Sequence, residues 1–216
     1  IRDDAPPMAL SFWRLVFAFL FLLPFTYKRI RSQFSIICDN WRLIGLLSIL
    51  LWFGGNALLF LSLQFTIAIN AAVINSVEPV IIIIFASILF RDQFTVRQAF
   101  GAALSLCGVL VLIASGSLEK LIGLNFNLGD IIVFCAYISW ALYAVLLRKI
   151  PKQLDPMVVV TLMLGFGIPI LLFPYLIETF YFRPIQFDWL TIGAITYLGL
   201  FSGAISMIGW VYGIKN

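Results

Sequence analysis

Glu78 is the residue whose type and position most demand a chemical account. It sits near the middle of a long apolar block, Ile67–Phe90, roughly 15 Å from either membrane surface at about 1.5 Å of rise per helical residue. An ionised carboxylate at that depth in a bilayer costs about 3 kcal/mol or more, so it faces a bundle interior, carries a proton or is paired. Two roles stay open. Glu78 couples solute movement to a proton or cation, or touches a charged substrate; alternatively it is a structural tie to Arg14, a shallower cation in the block Met8–Tyr27 that reaches it by snorkelling. Pro79 follows directly and lacks an N–H, so a carbonyl one turn earlier, near Asn75, loses its partner and the helix breaks. Broken helices at mid-membrane line substrate cavities, and Asn75 and Glu78, three residues apart, share a face. A bare packing kink is the other reading of the same proline.

Tyr137, Trp140 and Tyr143 recur every three residues in the block Gly129–Leu147. Such a stripe is either packing or a cavity wall for an apolar or amino-acid side chain. Ser202 and Ser206, four apart, and Asn56 add hydrogen bonds, to a substrate or as glue between helices. The expected substrate-binding set is therefore Asn75, Glu78, Tyr137, Trp140, Tyr143, Asn56, Ser202 and Ser206, with Glu78 and Arg14 as a coupling or structural ion pair.

Other chemistries lack their residues. The sequence contains no His, which removes the H-E-x-x-H metal site and the Ser-His pair, and it has no Walker A phosphate loop. No catalytic residue, metal or cofactor is expected, and the chain is not read as an enzyme. Cys38 falls in a basic stretch read as a cytoplasmic loop, Cys107 and Cys135 fall in apolar blocks, and no C-x-x-C spacing occurs, so all three are read as unpaired packing thiols. Basic residues form short clusters rather than a stripe, which argues against nucleic acid. Nothing calls for an obligate protein partner.

The elements that must position these residues are membrane spans. With 62% hydrophobic and 11% charged residues, the chain lies outside the make-up of soluble domains. Seven blocks are each of bilayer-crossing length: Met8–Tyr27, Trp41–Phe65, Ile67–Phe90, Gln98–Ser115, Gly129–Leu147, Met157–Ile177 and Trp189–Gly213. No block alternates as a barrel strand does. On one side of the membrane fall Lys28, Arg29, Arg31, Arg42, Arg91, Arg97, Arg148, Lys149, Lys152 and Lys215. The other side holds Arg2, Lys120 and Arg183. The richer side is cytoplasmic, and the first block then runs from outside to inside. Trp41, Trp189, Tyr27 and Tyr175, at block ends, suit the headgroup belts, and Gly101, Ser105 and Gly108 form a small-residue packing stripe.

An internal repeat organises the blocks. Trp41, Ile44, Gly45, Leu50, Phe53 and Gly55 match Trp189, Ile192, Gly193, Leu198, Phe201 and Gly203 at one constant offset, and Pro7-Met8 leading to Pro24 resembles Pro156-Met157 leading to Pro174. Five helix steps separate the copies, an odd number, so they cross in opposite directions. Inverted repeats of this kind characterise secondary transporters, whose two halves exchange conformations around a site near the midplane. Completing the repeat calls for one helix upstream and two downstream, ten in two five-helix halves.

The run Ala71-Ala72-Val73-Ile74-Asn75-Ser76-Val77-Glu78-Pro79, Arg14 in the first visible helix, Gly101 followed by Gly108-Val109, and Gly129-Asp130 with Trp140-Ala141-Leu142-Tyr143 and Arg148 resemble the EamA-type branch of the drug/metabolite transporter superfamily, over essentially the whole chain. Arg91-Asp92 departs from the Gly-Glu usual after the fourth helix. The resemblance implies an all-α polytopic membrane protein with seven of about ten transmembrane helices present. Residues 1–118 then hold most of the first repeat (helices 2 to 5) and 119–216 part of the second (helices 6 to 8). It implies transport of amino acids or related neutral or zwitterionic metabolites across a bacterial inner membrane without ATP, as an exporter, by proton coupling or exchange. The expected partners are a small-molecule substrate, the lipid bilayer and protons. A nucleotide-sugar or sugar-phosphate carrier is the alternative, and a seven-helix receptor a more distant one.

Overall fold

The computed structural model describes residues 6–93, 95–114, 127–181 and 184–215. Among them every regular element is helical: α1 (Pro7–Ser32), α2 (Phe34–Ser48), a π-helical segment π1 (Ile49–Ala57), α3 (Leu58–Ser62), α4 (Ala68–Asn75), α5 (Glu78–Phe90), α6 (Val96–Ala114), α7 (Leu128–Leu147), α8 (Pro156–Tyr181), α9 (Trp189–Tyr197), a second π segment π2 (Leu198–Ile205) and α10 (Ser206–Lys215). Six continuous spans among the described residues are long and apolar enough to cross a membrane. The remaining block is the 19-residue α6. Large apolar side chains such as Ile88, Phe100 and Phe173 are about 70% exposed, which suits lipid rather than water as the surrounding medium.

The basic stretch after the first block is not a loop: α1 runs on to Ser32 and α2 starts at Phe34, with Gln33 alone between them, so Cys38 is an exposed helical residue. A helix leaving the hydrocarbon keeps its backbone bonds and needs only polar side chains to meet water, so it continues past its apolar stretch. Trp41 accordingly lies two turns inside α2 rather than at a helix start.

The chain groups into two compact units, Ile1–Phe53 with Leu146–Asn216, and Gly54–Val145. In the first unit the two copies of the repeated helix, α1 and α8, pack antiparallel, and their ends fix the direction. At the start of α1 the Met8 and Ala9 N–H groups donate to Glu178, near the end of α8, at 3.1 and 2.7 Å. At the other end of α1 the Arg29 guanidinium pairs with Asp155, just before α8, at 2.7 Å. Asp155 also accepts from the Met157 N–H at 2.8 Å. Met8 and Met157 are repeat equivalents, and both donate to a carboxylate placed at a helix N-terminus, where the dipole and the unpaired N–H groups favour a negative charge.

The second helix of each copy packs on the first helix of the other. On one side, a Cβ built on Gly199 of π2 would lie 2.9 Å from the Arg14 carbonyl, and one on Gly203 would lie 3.0 Å from Ala18. On the other, a Cβ on Gly167 of α8 would lie 2.5 Å from the Trp52 ring of π1, and the Trp52 indole N–H donates to the Met163 carbonyl at 3.1 Å. This reciprocal pattern is what an inverted pair requires, and glycine permits it by letting the backbones approach. The two π segments fall at matching repeat positions, directly after α2 and directly after α9. Asp188 starts α9 by accepting from the Thr191 N–H at 2.8 Å; hydrogen bonds from Thr191 hold its carboxyl below the usual carboxylate range.

Arg91 ends α5 in the left-handed conformation, φ 57°. A glycine takes that conformation without steric cost, which gives a physical sense to the Gly-Glu for which Arg91-Asp92 stands.

Candidate functional site

Glu78 lies at a break in its span. Helix α4 stops at Asn75, Ser76 and Val77 form a turn, and α5 restarts at Glu78 with Pro79 in its first turn. The turn is closed by short-range bonds from the Ser76 N–H to Val73 O at 3.1 Å and from the Val77 N–H to Ile74 O at 3.1 Å. Pro79 offers no N–H to the Asn75 carbonyl, so the α ladder cannot run through. The local break expected from the sequence is present, and it leaves Glu78, half-buried, in the first turn of a half-helix whose dipole favours an anion. Asn75 is exposed.

Helix α7 supplies the aromatic residues of the same unit. Tyr137 and Tyr143 are buried, 5% and 4% exposed, while Trp140 is half-buried. Tyr137 joins Ala71, Ile74 and Val133 in a buried cluster, with Leu59 and Trp140 against it. Its ring lies 5.4 Å from that of Trp140. The structure thus brings Tyr137 and Trp140 together, and Tyr137 packs with Ile74, four residues before Glu78. The Tyr143 hydroxyl is buried and has no hydrogen-bond partner among the described residues. Asn56, half-buried in π1, belongs to this unit too. Ser202 and Ser206, both exposed, and Arg14 belong to the other unit.

A polar cluster at the start of α7 escaped the sequence reading. Asp130, 4% exposed, accepts from the Thr66 hydroxyl, from Asn70 Nδ2 at 3.2 Å and from the Asn127 N–H at 2.7 Å. It ties the turn before α4 to the start of α7, and Gly129 lets the Phe65–Thr66 backbone approach within 2.8 Å of where a Cβ would stand. An open, mainly apolar cleft of about 580 Å³ lies beside it, lined by Ile74, Asn127, Leu128, Asp130, Ile131 and Phe134. Its volume is in the range of metabolite sites. None of the sequence-nominated residues lines it, although Ile74 belongs both to its wall and to the Tyr137 cluster. The sequence signals for Asp130 were an acidic residue at the very start of an apolar block and its place in the Gly129-Asp130 motif of the family resemblance.

Among the described residues no group of three or more His, Cys, Asp and Glu side chains is arranged to hold a metal ion.

Comparison with known proteins agrees with this architecture. Residues 1–114 and 127–216 match the model of the EamA-like transporter family. Over 97% of its length the chain is 31% identical to the uncharacterized transporter YyaM of Bacillus subtilis, covering 69% of that protein. It is 24% identical to an uncharacterized transporter of Archaeoglobus fulgidus, covering 99% of this chain and 72% of the relative. A solved crystal structure superposes over 99% of the chain and 71% of its own, with a TM-score of 0.79 at 18% identity, a likeness of fold.

Proposed function

The chain belongs to the EamA-like transporter family, a multi-pass membrane transporter by that membership, and on this premise we propose that it moves amino acids or related neutral or zwitterionic metabolites across a bacterial inner membrane by alternating access, as an exporter driven by protons or by exchange. The observation that carries this reading is the broken helix that sets Glu78 at the start of α5, one turn after Ile74, which packs in one buried cluster with Tyr137 and has Trp140 against it. A carboxylate at the interruption of a span accepts a proton or a substrate ammonium. The adjoining aromatic face offers contact to an apolar side chain. Asn75, Asn56, Ser202 and Ser206 complete the proposed binding set, and Tyr143 adds a buried hydroxyl. The tie between Glu78 and Arg14 remains the rival role for both residues.

Alternating access is supported by the antiparallel copies α1 and α8 and by the paired π segments. A π-helical turn interrupts the regular ladder and is a frequent mark of functional flexure. A nucleotide-sugar or sugar-phosphate substrate fits less well, because a phosphate calls for several Arg or Lys in the cavity and Arg14 is the single cation set more than one residue inside an apolar block.

The test is flux in proteoliposomes holding the full-length protein, with labelled L-alanine, L-leucine and L-phenylalanine, with and without an imposed pH gradient. At one proton per substrate the expected accumulation is up to about tenfold per pH unit, since one unit corresponds to about 1.4 kcal/mol. Flux of a sugar phosphate or nucleotide sugar in place of every amino acid would contradict the proposal.

A further inference from the structure

The seat of Trp140 is unusual. A Cβ built on Gly55 would overlap the Trp140 indole: its three closest atoms, Nε1, Cδ1 and Cε2, all belong to the five-membered ring, and Cε2 would stand at 2.7 Å. The ring therefore rests on the bare Cα of π1. It also meets Tyr137, with ring centroids 5.4 Å apart, and Tyr137 packs in a buried cluster with Ile74, four residues before Glu78. Gly55, Trp140, Tyr137 and Ile74 form one sequence of contacts that starts in the π segment and ends in the last turn of α4, at the break before Glu78.

A side chain at position 55 cannot be absorbed locally. The indole is a rigid ring rather than the far end of a flexible chain, and its movement is limited by Tyr137 and by the buried cluster it packs against. Displacement of Trp140 is the remaining response, and it moves the aromatic face beside Glu78.

We infer that Gly55 is a positioning residue for substrate selection: by lacking a side chain it fixes how far the Trp140 ring stands back, and so the width left beside Glu78 for the substrate's side chain. This rests on the reading of Tyr137 and Trp140 as the substrate wall. A further consequence is that any flexing of π1 moves this seat, so bending of the span and the shape of the wall are linked through one contact.

The test uses the full-length protein carrying 5-fluorotryptophan, reconstituted in nanodiscs for ¹⁹F NMR and in proteoliposomes for flux of L-alanine, L-leucine and L-phenylalanine. The Trp140 resonance is assigned by its loss in Trp140→Phe. In Gly55→Ala that resonance is expected to shift, and the KM for L-phenylalanine to rise about tenfold, while L-alanine changes less than twofold. The double variant Gly55→Ala with Trp140→Phe, whose smaller ring relieves the overlap, is expected to restore much of the L-phenylalanine KM, which a general loss of folding would not do. An unmoved Trp140 resonance in Gly55→Ala, or a shift with both KM values unchanged, overturns the inference. The wall reading is judged separately in the wild-type protein: it fails if none of the three amino acids perturbs the Trp140 resonance at saturating concentration.

Discussion

Replacing Glu78 by Gln is expected to lower gradient-driven accumulation by at least about 100-fold, the scale associated with loss of a positioned proton-transfer group. Gln keeps the shape of Glu but cannot bind and release a proton, so downhill exchange of substrate is expected to persist. Glu78 stands half-buried in the first turn of α5, at the break enforced by Pro79. The structural alternative makes a different prediction. If Glu78 is held by Arg14, the loss appears in thermal unfolding rather than in coupling, and a double-mutant cycle of Glu78→Gln with Arg14→Gln returns an interaction of about 0.5–3 kcal/mol. Unchanged accumulation in Glu78→Gln removes the coupling role.

The second large effect concerns the contact between the repeats. Gly199→Ala is expected to cost about 1–3 kcal/mol of stability, the usual range for overpacking, because the new Cβ would stand 2.9 Å from the Arg14 carbonyl and 2.8 Å from the Phe17 ring. A backbone carbonyl in the middle of α1 cannot step aside without moving the helix. Gly193→Ala, in α9, is the matched control, since nothing lies within 4 Å of its added Cβ. It is expected to be neutral or to gain about 0.5–1 kcal/mol from helix propensity. Denaturant unfolding of the two variants in the same detergent checks the pair. Equal stabilities would mean that α1 and π2 are not packed as described.

Much of the fold was legible because a bilayer imposes long apolar blocks and a proline announces its own defect. The spans and the break beside Glu78 follow from those two facts. The π segments were not legible. Their positions match in the two copies, but their geometry depends on what each span packs against, such as Trp52 on Gly167, and no local propensity encodes a π turn. Helix ends were misplaced around Gln33 because hydropathy marks where lipid stops, not where the backbone stops being helical. Of the site, the residue types at Glu78, Tyr137 and Trp140 were readable from depth and spacing. Gly55 as the seat of Trp140 was not, since a glycine in an apolar block announces only that something comes close. The Asp130 cluster was hidden for a related reason: Thr66 and Asn70 reach it from about 60 residues away. Glu178 was hidden because its partners are main-chain N–H groups, which every sequence has.

The arrangement on which alternating access depends is the opposed mounting of the two repeat copies in the bilayer. It is tested most directly by sided labelling of Trp41→Cys and Trp189→Cys, repeat equivalents that are 53% and 90% exposed, with Cys38, Cys107 and Cys135 replaced by Ser. A membrane-impermeant maleimide applied to intact cells is expected to label position 189 at once and position 41 only after permeabilisation. Labelling of both positions from the same side would place the copies in parallel and contradict the account.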